Sequence, residues 1–121
     1  MSQTADLFRA ALEQVIAGDY GGYLDLFADD VEFEFPFAPA GRPRRVKGKD
    51  EVQAYMTPLI GRYDGASLAS LTVYETDVPD TIVAEMSIAF PGLPEPRPFV
   101  AVVRSADGQI VSYRDYWKPS A

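Results

Sequence analysis

The chain contains no cysteine and no histidine. Without cysteine there is no disulfide framework, thiolate nucleophile or redox motif. Without histidine as well, the usual zinc sites and every Ser-His-Asp triad are excluded. Long apolar runs are also missing: no stretch nears the ~20 residues that a membrane span needs. The N-terminal run Met1-Ser2-Gln3-Thr4-Ala5-Asp6 lacks the basic and apolar regions of a signal peptide, so the expected location is the cytoplasm. Basic residues are outnumbered, 11 against 18 acidic, for a net charge of −7. Such a chain repels phosphate backbones, and no nucleic-acid partner is expected. Acidic pairs such as Asp77 and Asp80 have no calcium-loop spacing, so neither a metal nor a cofactor is expected. Any chemistry falls to carboxylates, tyrosines, lysines, arginines or hydroxyls.

What remains is an ordinary globular composition, 47% hydrophobic in 121 residues, which is one domain spanning 1–121 with room for a real core. Leu7, Phe8, Ala11, Leu12, Val15 and Ile16 recur at helical spacing, with Thr4 as the expected N-cap and Gly18-Asp19 as the stop. A short helix over Tyr23 and Leu24 follows. The period then changes to two, because Val31, Phe33, Phe35 and Phe37 alternate with Glu32, Glu34 and Pro36. Residues 38–49 read as loop. Asp50 and Glu51 open a third helix that Pro58 kinks or ends. Strands are expected at 68–76, 81–90, 99–104 and 110–117, with Asp107-Gly108 as a tight hairpin. The pattern is α+β with a single curled antiparallel sheet.

Strand parity on the last segment puts Val111, Tyr113, Asp115 and Trp117 on one face. Matching apolar faces are expected from Phe33, Phe35 and Phe37, from Met86 and Ile88, and from Val100 and Val102. A carboxylate in such surroundings is poorly solvated and suited to proton transfer near neutral pH. The alternative is structural: Asp115 pairs with Arg104 or Arg114, or bonds a tyrosine hydroxyl. Phe99, Ala101, Val103, Leu71, Val73 and Val83 are assigned to the opposite face, where they would pack a homodimer. Tyr55 is the candidate hydrogen-bond donor to a substrate carbonyl. Five basic residues fall within 42–49, and Arg42 or Arg44 is a candidate for meeting an anion at a pocket mouth.

Leu26-Phe27-Ala28-Asp29-Asp30-Val31 and the late run Gly108 to Trp117 resemble the SnoaL-like branch of the nuclear-transport-factor-2-like superfamily, across essentially the whole chain. Within it, Val73 to Asp80, Phe90 to Glu95 and Arg114-Asp115-Tyr116-Trp117-Lys118-Pro119 are similar to the PhzA/PhzB proteins of phenazine biosynthesis. In those proteins a Glu at the position of Asp115 acts as acid and base on a small cyclic substrate. Limonene epoxide hydrolase carries an Asp in a similar Arg-Asp-Tyr context. The resemblance therefore implies a cone-shaped, curled antiparallel sheet with three helices packed on its concave face, and an isomerase, cyclase or dehydratase of secondary metabolism, with Asp115 and Tyr55 as catalytic residues. Phe33, Phe35, Met86, Ile88, Val100, Val102, Tyr113 and Trp117 would surround a ring-containing or polyketide-like ligand. A non-catalytic binding or accessory protein is the alternative, since one fold hosts both. Tyr55 stands where the phenazine proteins have histidine. Met86 and Ile88 replace the epoxide hydrolase's Arg and second Asp, while Ala11, Phe35 and Val100 replace the Tyr and Asp residues of ketosteroid isomerase. Neither of those last two chemistries is expected.

Overall fold

The computed structural model describes residues 2–118; Pro119 of the C-terminal motif lies outside them. Helix α1 covers Gln3–Ala17 and ends at Gly18, whose φ of 81° suits a residue without a Cβ. Its N-cap is Ser2, whose hydroxyl accepts from the Ala5 N–H at 3.2 Å, and not Thr4. Thr4 is two residues further in and buried. Its hydroxyl lies 2.6 Å from Ser105 Oγ and donates to the Asp80 carbonyl at 3.1 Å, so a tertiary contact takes the group that local pattern gave to capping. Helix α2, Tyr20–Leu24, is capped by Asp19, and α3 spans Lys49–Met56. Pro58 does not kink α3 but replaces its continuation with a 3-10 segment, Thr57–Tyr63.

Six strands form one sheet: β1 (Phe27–Glu34), β2 (Arg45–Lys47), β3 (Ser67–Glu75), β4 (Thr81–Ala89), β5 (Arg97–Ala106) and β6 (Gln109–Trp117). Their order is β2-β1-β6-β5-β4-β3, and four of the five pairings are antiparallel. The exception is the β1–β6 seam, which is parallel and brings Phe33 beside Tyr113. Strand β2 lies inside the stretch expected to be loop, because Val46 pairs with Phe33 and closes the sheet edge. Phe37, expected on the inner face, follows the end of β1 in a turn and is 58% exposed.

One irregularity decides which residues face inward. Beyond the Asp107-Gly108 turn, Ser105 pairs with Ile110, yet Arg104 pairs with Ser112. Val111 is thus an extra residue, a β-bulge that lets both Ile110 and Tyr113 enter the core. Below it Asp115 lies opposite Ala101, and Trp117 opposite Phe99. The inner face of β5 is therefore Phe99, Ala101 and Val103, not Val100 and Val102 as the parity suggested. Strand β5 is apolar on both sides, so alternation alone carries no signal there. Leu71 and Val73 also face inward, opposite Met86 and Ala84, which leaves Val83, Val100 and Val102 on the outer face.

The buried Thr4–Ser105 hydrogen bond joins α1 to β5. Thr4→Val should cost about 1–2 kcal/mol by stranding the Ser105 hydroxyl. Adding Ser105→Ala should recover part of that loss. Urea unfolding of the two single variants and the double variant checks it, and strict additivity would refute the coupling.

Candidate active site

Between the concave face and the helices lies a cavity of about 570 Å³. Its deep wall is built from Phe8, Leu12 and Val15 of α1, Tyr23 of α2, and Phe33, Met86, Ile88 and Tyr113 of the sheet. Exposed Pro39, Arg42, Arg62, Pro91 and Leu93 also line it, which puts the mouth between the 38–44 loop, the 3-10 segment and the β4–β5 connection. Aromatic rings pack one side continuously. Phe33 stacks on Tyr113 at 5.0 Å, and Phe35 stacks on Tyr55 at 4.6 Å while meeting Trp117 edge-on at 5.4 Å. These pairs hold the rings in fixed orientations, so the wall keeps its shape without a ligand.

Asp115 enters this cavity from β6, between Tyr113 and Trp117. Its Oδ1 is buried and has no hydrogen-bond partner among the described residues. Burial in apolar surroundings raises its pKa from 3.8 to about 7. The expected ion pairs with Arg104 or Arg114 do not form, because both arginines occupy the outer face opposite Ser112 and Val102. Instead Arg114 lies over the Tyr116 ring, 5.9 Å from its centroid.

Tyrosines surround the carboxyl. Tyr23, Tyr55, Tyr63 and Tyr113 are all pushed above the usual phenol range, first by burial and in part by the charge of Asp115. Tyr63 rises to about 12. The hydroxyls are therefore neutral at physiological pH and available as donors. At Tyr55 the shift is opposed by the Arg42 guanidinium beside its hydroxyl and by the charge of Arg62.

The structure thus brings Asp115, Tyr55, Phe33, Phe35, Met86, Ile88, Tyr113 and Trp117 to one cavity. It excludes Val100 and Val102, which the bulge leaves on the far side of the sheet. Tyr23, Tyr63, Arg62, Arg97 and the α1 residues also line it, with no sequence signal that marked them as site residues. The amphipathic face of α1 looks like ordinary core. Arg97 sits in a proline-rich run that reads as a turn but begins β5. No cluster of three or more Asp or Glu side chains suited to a metal stands among the described residues, and no described helix is long and apolar enough to cross a membrane.

Residues 8–113 match the SnoaL-like domain family, and the chain belongs to it. A PhzA/B-like protein of Pseudomonas aeruginosa is 33% identical over 106 residues, covering 84% of this chain and 74% of that protein. A crystal structure of a proposed isomerase from Bacillus subtilis superposes with a TM-score of 0.84 at 30% identity, covering 97% of this chain and 87% of the other. A Mycobacterium tuberculosis protein solved with estradiol-17β-hemisuccinate shares the fold, with a TM-score of 0.80, 24% identity and coverage of 98% and 95%.

The raised pKa makes Asp115 a pH-dependent cost to folding. Between pH 3.8 and about 7 the folded chain keeps a proton that the unfolded chain has released. Stability from this group is therefore retained at low pH and lost as pH rises through that window. Relative to wild type, Asp115→Asn should gain on the order of 4 kcal/mol across it and level off above pH 7. Denaturant titrations at a series of pH values measure this, and a pH-independent difference would contradict it.

Proposed function

We propose that the chain is a small-molecule enzyme that moves a proton, with Asp115 as general acid and base, in an isomerisation, cyclisation or dehydration. The observation that carries this reading is a carboxyl group, unpartnered at Oδ1, inside an apolar cavity, poised to titrate near neutral pH. As a carboxylate it would take a proton from a carbon next to a carbonyl. Tyr55, with a neutral hydroxyl, would donate to the enolate oxygen. Returning the proton to another carbon completes an isomerisation. Attack of the enolate on a second carbonyl closes a ring, and proton transfer to a departing hydroxyl releases water. The cavity volume and aromatic wall suit a ring-containing or polyketide-like secondary metabolite. The steroid ester bound by the mycobacterial fold neighbour is of that kind.

Carbon-acid exchange of 1-tetralone in D2O tests the proposal. The protein should accelerate deuterium uptake next to the carbonyl, with an inflection near pH 7. Asp115→Asn should remove the acceleration while ligand quenching of Trp117 fluorescence persists, and Tyr55→Phe should reduce it. One positioned acid/base group contributes ~10²–10⁴-fold. Intact binding with no acceleration in wild type would favour the second reading, a carrier without turnover. That reading draws support from the surroundings of Asp115, where the other titratable groups facing it are high-pKa tyrosines.

We also propose a homodimer packed through the outer sheet face, where Val83, Val100 and Val102 form a partly exposed apolar stripe. Sedimentation equilibrium at micromolar concentration should return twice the 13.3 kDa protomer mass, and a protomer mass refutes it.

A further inference from the structure

The charge of the cavity is opposite to that of the chain. Overall, 18 acidic residues face 11 basic ones, yet the described lining holds three arginines and one carboxylate. The arginines come from three separate places: Arg42 from the 38–44 loop, Arg62 from the 3-10 segment and Arg97 from the start of β5. Arg97 lies across from Ile88, itself cavity-lining, and its Nη2 donates to the Lys118 carbonyl at 3.2 Å. Neither Arg42 nor Arg62 takes part in a salt bridge among the described residues. The surface carboxylates Glu32, Glu34 and Asp29 pair with Arg45 and Lys49 instead. Both Arg42 and Arg62 are close enough to the Tyr55 hydroxyl to oppose its upward shift, while burial raises the pKa of Asp115. Positive charge from Arg42 and Arg62 is therefore gathered at the exposed rim of the cavity, with Arg97 half-buried on its wall.

We propose that Arg42, Arg62 and Arg97 form an anion-recognition mouth, and that the ligand is a ring-containing carboxylate whose charged group stays among the guanidiniums while its ring enters the aromatic cavity. This rests on the reading of the cavity as a ligand site, but not on turnover. Guanidinium groups suit a carboxylate because their planar N–H forks match its two oxygens. Anchoring the charge at the mouth also fixes which ring carbon reaches Asp115, since an apolar body alone could slide or invert.

The test compares 2-naphthoate with its methyl ester, a probe pair of nearly equal shape, by Trp117 quenching. Naphthoate should bind about tenfold more tightly than the ester or better. Its affinity should fall with added salt while that of the ester does not. The double variant Arg42→Gln and Arg62→Gln, both at exposed positions, should reduce the preference several-fold by costing naphthoate more affinity than the ester. Equal affinity for the two probes overturns the proposal. So does an equal loss for both in the double variant, or no binding of either by a chain that circular dichroism shows to be folded. Asp115→Asn should keep the preference. A chain that prefers naphthoate but exchanges no carbon-bound proton retains the anion mouth and loses only the enzymatic reading; exchange without preference does the reverse.

Discussion

A single extra residue determines whether this molecule has a site. If β6 continued from Ile110 without the bulge at Val111, the register set by the Asp107-Gly108 turn would put Asp115 opposite Val100. The carboxyl would then point to the outer face and into solvent, and Arg114 would take its place opposite Ala101. The bulge shifts the pairing by one, so that Asp115 meets Ala101, whose small side chain leaves space in front of it. The parallel β1–β6 seam then brings Phe33 and Tyr113 together, and the stacked rings of the deep wall follow from that alignment. A one-residue slip in a strand exchanges its two faces, which is why bulges gather where a side chain must be re-aimed.

Burying a carboxylate oxygen without a partner, as at Asp115 Oδ1, works against folding, and the surrounding structure shows how that cost is contained. The hydroxyls nearby belong to tyrosines that remain neutral, so no second charge must be desolvated beside the first. A cation at depth would have stabilised the ionised form and returned the pKa to the usual carboxylate range. Keeping the arginines at the mouth avoids this. Electrostatic separation along one cavity is thus compatible with both ends of the proposed ligand, whereas a buried ion pair would have used up the acid.

Much of the architecture was legible because local signals and tertiary demands agree. The helical spacing of α1, the Gly18 stop and the Asp107-Gly108 hairpin are each fixed by short-range chemistry that packing does not override. The inward aim of Asp115 was also anticipated, yet from a register that the structure does not have. Parity placed Val100 and Val102 beside it, because Phe99 to Val103 is apolar at every position and a two-residue period has no contrast to read. Thr4 illustrates the opposite failure. Its residue type fits an N-cap, but Ser2 is also available, and a long-range partner at Ser105 claims the Thr4 hydroxyl. The mouth arginines were harder still. Arg42 lies in a basic run that reads as solvated loop, and its sharing of one cavity with Arg62 and Arg97 depends on contacts between segments far apart in sequence.

The same geometry explains why the family resemblance carries the fold further than the chemistry. Ring stacking, the curled sheet and the α1 cover require only apolar residues of suitable size, and many sequences supply them. Proton transfer requires one carboxyl at one parity, and control of orientation requires charges at the rim. Tyr55 stacks on Phe35, and in the proposed mechanism it would be a neutral donor where the resemblance to the phenazine proteins implies a histidine, a second titrating group. Under the proposed mechanism one acid would both remove and return the proton, so the two sites on the substrate would lie on the same face, within reach of a single carboxyl.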